Sequence, residues 1–405
     1  MSLRGLRICP CFNDEEARAL LFSIGVDPYG VEAMTPKMRH LNVFVKQVAC
    51  RDGNIIKQEM LSLGGDAAVS RGTVGCTDRE TDVLIMGTKK QVLRLAEKLE
   101  HQPGRIRELA VALKELISRL EPRDLKWKTS RREMVLGSKT LLMGILNCTP
   151  DSFSDGGRYV NREAAVTRGL AMVEEGADII DVGGESSRPG ADPVAEDEEL
   201  RRVIPVIEEL AKKCDVPISI DTMKASVARR ALEVGAEIVN DISALTFDAG
   251  MREVVARFGA GVILMHMRGL PKTMQVGEIT YNDVVGDIIS YLEQRMEVAK
   301  EGGIPLDRIV CDPGIGFGKT AEQNYAILRR LSEFGSLGRP ILIGVSRKSL
   351  IGAVTGEGPE GRLEGTAAAV TAAILGGAKV VRVHDVKEMR KVISVADAVR
   401  YGMGA

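Results

Sequence analysis

The stretch TLLMGILNCTPDSFSDGG, Thr140 to Gly157, changes character once, at Asn147. Before that residue, Leu141, Leu142, Met143, Ile145 and Leu146 form an apolar run, the pattern of a strand covered on both faces. After it the chain turns polar and ends in Asp155-Gly156-Gly157, a turn signal. A buried strand that releases a polar side chain and a loop at its C-terminal end is how parallel α/β folds build sites. The same design recurs downstream, predicting strands at 141–146, 178–182, 216–220, 236–239, 261–265, 308–311, 341–345 and 379–383. Helical periodicity fills the intervals, at 162–176, 196–214, 224–235, 281–302, 321–334, 362–376 and 385–400. Eight βα units in about 260 residues match the size of a (β/α)8 TIM barrel. A doubly wound open sheet is the competing fold, but the Gly-rich dinucleotide turn expected after its first strand is absent.

A chain of 405 residues leaves room for a second domain ahead of that barrel. Residues 1–128 read as a small α/β unit. Leu41 to Val48 alternates like a half-buried strand, and Asp82 to Gly87 is an apolar one. A short helix is expected from Ile55 to Leu63, stopped by Gly64-Gly65. Thr88 is placed to N-cap a helix over Lys89 to Glu100, and a further helix runs from Ile106 until Pro122 ends it. Residues 129–139 are expected to link this unit to a catalytic domain at 140–405. Arg123 to Arg132 carries several basic residues, which read as a solvated face or, less simply, as an attraction for phosphate. Nothing in residues 1–128 carries a chemical signature.

A net charge of −1 offers no global field for nucleic acid or a membrane surface. No apolar run approaches the roughly 20 residues of a membrane span. Asn13-Asp14-Glu15-Glu16 interrupts any early signal-peptide core. The seven cysteines are odd in number and scattered, as expected of reduced thiols in a cytoplasmic protein. Cys9-Pro10-Cys11 has no second Cys/His pair at zinc spacing.

The chemistry is expected just after each apolar run: Asn147, Asp181, Asp221, Asn240 with Asp241, His266, Asp312, Ser346-Arg347-Lys348, and Arg382 with His384. Any one of these can be a helix cap or turn former. In a parallel barrel, though, all eight strand ends meet on one rim. Asp221, Asn240 and Asp312 suit a flat heterocycle with N–H donors, because a buried Asp reads a guanidine-like edge by paired charge-assisted hydrogen bonds. Lys348, Arg382 and His384 suit a phosphate or diphosphate. Asn147 is compatible with Mg²⁺ shared with phosphate oxygens. The loops Cys148–Tyr159, containing Phe153, and Gly183–Gly190 read equally as lids or as plain connections. Gly314 to Thr320 ends like a P-loop, but Pro313 stands where its first glycine belongs, so a tight glycine turn is the better reading.

The segments GILNCTPDSFSDGG, DVGGESSRPGA, ISIDT, VNDIS, LMHMRG, DPGIGFGKT, GVSRKS and RVHDV occur in one order from Thr140 onward, and there the chain closely resembles dihydropteroate synthases. The resemblance implies a TIM barrel that condenses 6-hydroxymethyl-7,8-dihydropterin diphosphate with p-aminobenzoate, with Mg²⁺ as cofactor, sulfonamides as inhibitors and a homodimer as the assembly. It implies Asp221, Asn240, Asp312 and Lys348 as pterin-binding residues, Asn147 as the metal ligand, and Asn147, Arg382 and His384 as diphosphate-binding. Phe153, Ser187, Arg188, Pro189, Phe317 and Ser349 fall in the p-aminobenzoate and loop region, and Asp181 at the same mouth. Asp181, Asp221, Lys348, Arg382 and His384 make up the expected catalytic set. Cys148 and Ser187 stand where the family often has Val and Thr. The alternatives are a pterin-dependent methyltransferase, or an inactive pterin-binding barrel whose residues 1–128 regulate a partner. The first has no need of the Arg188 loop or of the SRK and RVH segments.

Overall fold

Strands apolar along their whole length need cover on both faces, and eight such runs find it in a parallel ring wrapped by helices. The computed structural model describes residues 6–11, 13–120, 124–137, 139–149 and 158–403. The ring strands are β1 (Leu141–Asn147), β2 (Ile179–Gly183), β3 (Ile218–Asp221), β4 (Ile238–Asp241), β5 (Gly261–Met265), β6 (Ile309–Asp312), β7 (Leu342–Ile343) and β8 (Val380–Val383). Their order is β6-β5-β4-β3-β2-β1-β8-β7, and a parallel bridge between Cys311 and Ile341 joins the two ends. This is the (β/α)8 barrel expected from the strand count. The helices 251–258 and 349–355 had no counterpart in the sequence reading; each is only about two turns long.

The interval expected as a solvated linker is different. Leu125–Lys128 and Glu133–Leu136 pair as an antiparallel hairpin, with Trp127 opposite Met134. Trp127 is fully buried, its indole N–H donates to the Arg308 carbonyl at 3.0 Å, and it packs with Leu136, Leu141, Ile238, Ile263 and Val380 in the barrel interior. The hairpin therefore plugs the N-terminal mouth of the ring. Arg132 serves this plug, holding the buried Glu237 through contacts of 2.6 and 3.0 Å, and Lys128 pairs with Asp307 at 2.8 Å. These two basic side chains are tied down in the plug. The compact units accordingly divide at residues 123/124, not at 128 or 139.

The N-terminal unit has a separate core of Ile56, Met60, Val83, Ile85, Leu95, Leu99 and Leu113. Its three-stranded antiparallel sheet runs 40–49, 80–88, 66–69 in spatial order. Thr88 caps helix 89–99 in a reciprocal box with Gln91, as its position predicted. The helix expected at 55–63 spans Cys50–Ser62. Pro122 lies outside the described residues.

Candidate active site

The rim of β2, β3, β4 and β8 carries a joined charge network. Arg382, in the middle of β8, donates through Nε to Asp181 Oδ2 at 2.6 Å and through Nη2 to Asp221 Oδ2 at 2.7 Å. Asn240 Nδ2 donates to the same Asp181 oxygen at 3.1 Å. Asp181 is fully buried, and its other oxygen, Oδ1, has no hydrogen-bond partner among the described residues. Burial pushes the Asp221 carboxyl up to about 7; Arg382 opposes that rise, and the neighbouring Asp181 adds to it.

Across the mouth, Asp312 Oδ1 accepts the Gly314 N–H at 2.7 Å, and burial raises its pKa as well. The Lys348 ammonium donates to the Ile315 carbonyl and lies 4.3 Å from the Phe317 ring centroid. Burial lowers it to about 8; attraction to Asp312 and Asp221 and repulsion from Arg382 put it in the same field. His384 presents its backbone N–H to Ser346 Oγ at 3.2 Å and its Nδ1 at 3.0 Å. The serine oxygen accepts from the backbone, and its hydroxyl can either donate to Nδ1 or accept from it, according to the tautomer of the ring. Burial, with Arg382 and Arg347 nearby, drops this imidazole to about 4, which keeps the ring neutral at pH 7. Asn147 ends β1 beside Gly183 of β2, on the same rim.

The loop residues are less uniform. Ser187 lines a cavity with Glu185, Asp221, Thr222, Ile242 and Pro271. Arg188 and Pro189 are exposed, although Arg188 is close enough to add to the depression of His384. Ser349 is exposed at the start of helix 349–355, next to Lys348. Phe153 and most of the first loop lie outside the described residues.

Two features escaped the sequence reading. Lys319, set aside with the P-loop look-alike, is buried, and its ammonium reaches the carbonyls of Gly314 (2.8 Å), Phe317 (3.0 Å) and His266 (3.3 Å) and His266 Nδ1 (2.9 Å). It cross-links the end of β5 to the loop that carries Ile315 and Phe317. Gly314 makes this possible: its φ is +72°, and a Cβ there would meet the His266 carbonyl at 2.0 Å. Second, Lys224 bridges Glu185 at the base of the second loop to the buried Glu199, the latter at 2.5 Å. Asp241, by contrast, is the turn former that the sequence allowed, accepting from Ser243 N–H (2.8 Å), Ser243 Oγ (2.6 Å) and Leu245 N–H (2.7 Å).

A parallel barrel with paired carboxylates, an amide and several cations on one rim is the framework of an enzyme that grips a polar heterocycle. The family model described as Pterin binding enzyme matches residues 143–384. A dihydropteroate synthase of Synechocystis sp. is 49% identical over 263 residues, which span 65% of this chain and 91% of that one. A Xanthomonas albilineans dihydropteroate synthase, solved with 4-aminobenzoic acid, superposes with a TM-score of 0.64 at 43% identity, covering 69% of this chain and 99% of that one. The chain belongs to the pterin-binding enzymes and, within them, to the dihydropteroate synthases, which are transferases. A probable bifunctional folylpolyglutamate synthase/dihydropteroate synthase of Halobacterium salinarum is 43% identical over 394 residues, 96% of this chain but 47% of that one. That match takes in most of the N-terminal unit, and this chain spans less than half of that relative.

Proposed function

We propose that the barrel condenses 6-hydroxymethyl-7,8-dihydropterin diphosphate with p-aminobenzoate, giving 7,8-dihydropteroate and diphosphate. The observation that carries this reading is the convergence of Asp181, Asp221, Asn240 and Arg382 in one hydrogen-bonded network on the barrel mouth. Asp221, Asn240, Asp312 and Lys348 hold the pterin, the carboxylates taking its N–H edge. Arg382 and His384 receive the diphosphate and stabilise the charge that builds on it as the C–O bond breaks. Asp221 and Asp312 tolerate the cation-like methylene left behind. Ser187, Arg188, Pro189, Phe317 and Ser349 position the aromatic amine, which is neutral at pH 7 and attacks without a strong base.

The donor set suits Mg²⁺. No cluster of three His, Cys, Asp or Glu residues capable of holding a metal occurs among the described residues. One amide oxygen at Asn147, completed by diphosphate oxygens and water, is the sparse protein ligation this ion accepts. When bound there it would supply positive charge to the leaving group. Among the described residues no helix is long and apolar enough to cross a membrane. We place the enzyme in the cytoplasm, acting on small molecules as a homodimer.

Diphosphate release is expected only when p-aminobenzoate is present, and sulfonamides should compete with p-aminobenzoate. Release indifferent to the amine, or inhibition that excess amine cannot relieve, would count against the assignment. The pH dependence has a definite sign. Asp221 grips the pterin as a carboxylate, formed above about 7, and Lys348 acts as a cation, lost above about 8. Pterin affinity should therefore rise through the first value and fall beyond the second, and Asp221→Asn should erase the acid limb. An acid limb that survives in this variant means another group sets it.

A further inference from the structure

Away from the barrel chemistry, two thiols of the N-terminal unit converge on one carbonyl. Cys50 opens helix 50–62 at the end of strand 40–49, where its N–H donates to the Arg79 carbonyl at 3.1 Å. The short 3₁₀ turn Arg71–Thr73 delivers the Thr73 carbonyl to this helix start. Cys50 Sγ donates to that oxygen at 2.9 Å, and Cys76 Sγ lies 3.6 Å from it. The same oxygen also receives the Cys76 N–H at 3.1 Å and Asn54 Nδ2 at 2.7 Å. Four donors on one carbonyl exceed its two lone pairs. Cys76 is held there with φ +47°, a left-handed conformation that non-glycine residues seldom adopt. The two sulfurs are therefore neighbours around one oxygen, although 26 positions separate them in sequence.

We propose that Cys50 and Cys76 form a reversible thiol–disulfide modification site, oxidised by exchange with a low-molecular-weight disulfide. Their exposures set the order of events: Cys76 is exposed and Cys50 is 4% exposed. The Cys76 thiolate attacks one sulfur of the small disulfide, forming a mixed disulfide and expelling one small thiolate. Cys50 then attacks Cys76 Sγ from beneath, forming the Cys50–Cys76 bond and expelling the second. The two protein protons end on the two released thiols, so two thiols are oxidised and one disulfide is reduced. The other buried thiols have no cysteine beside them in this way: Cys148 lies in the barrel's outer core, and Cys311 faces Met296 at 3.6 Å. The product pins the 70–78 turn to the start of helix 50–62.

The test is incubation of the full native chain with oxidised glutathione, followed by alkylation, proteolysis and mass spectrometry. The expected product is a peptide pair joined through Cys50 and Cys76, two hydrogens lighter than its parts and released by a thiol reductant. Cys50→Ser should accumulate glutathione on Cys76 instead. If the unmodified sequence itself retains glutathione on Cys76, or joins Cys76 to Cys9 or Cys11, the proposal is overturned. That result needs no variant, so a folding defect in Cys50→Ser leaves the decision intact.

Discussion

Arg382→Met is expected to lower kcat/KM by about 10³-fold or more, the scale of losing a preorganised charge at a developing anion. Asp181 and Asp221 would lose a shared counter-charge in a buried site, which costs about 3–5 kcal/mol when one partner of a buried pair is removed. Both losses follow from a single guanidinium reaching two carboxylates on different strands. Arg382→Lys separates them in part. A lysine keeps the charge but is a single point donor, so it cannot repeat the fork that spans Asp181 and Asp221. Steady-state kinetics with a thermal melt on each variant provide the check. A folded Arg382→Met enzyme with ordinary turnover would remove Arg382 from the diphosphate role.

Lys319→Met should be the second most damaging change, though Lys319 is assigned no substrate contact. Its ammonium holds three carbonyls and His266 Nδ1. Leaving such acceptors buried and unpaired costs about 1–3 kcal/mol each. The loop so released carries Phe317 and the Ile315 carbonyl, the two groups in contact with Lys348. Small misplacements in a site of this kind cost about 10²-fold in rate. We expect kcat/KM to fall by that amount for both substrates, since the loop carries Phe317, proposed for the amine, and touches Lys348, proposed for the pterin. Burial lowers Lys319 to about 7, and its charge is still held up by Asp312, so Lys319→Arg tests charge against shape. A folded Lys319→Met enzyme with unchanged KM values and kcat would show that the loop keeps its form without this strut.

Much of the barrel was legible because its strands are buried on both faces: a run such as Ile179 to Val182 has few other homes. The convergence of Asp181, Asp221, Asn240 and Arg382 was legible for the same reason, since parallel strands deliver their ends to one side. The hairpin was not. LKWK and EMVL alternate over only four residues each, and their lysines and glutamate look like solvated sequence until Trp127 finds the barrel interior. Lys319 was hidden by its own motif, because nothing in Gly316-Phe317-Gly318-Lys319 tells a phosphate-facing lysine from one folded back onto its loop. The state of His384 was invisible too, resting on Ser346, which lies 38 positions away in sequence.

The seam at residues 123/124 changes how the N-terminal unit should be removed to learn what it does. Cutting after residue 128 would pass between the two hairpin strands, stranding Glu133–Leu136 and taking Trp127 with the discarded piece. The barrel would then lose the side chain that fills its floor, and a drop in rate would mix that loss with the loss of the unit. Cutting after residue 123 keeps the floor sealed, so that whatever is lost belongs to the unit itself.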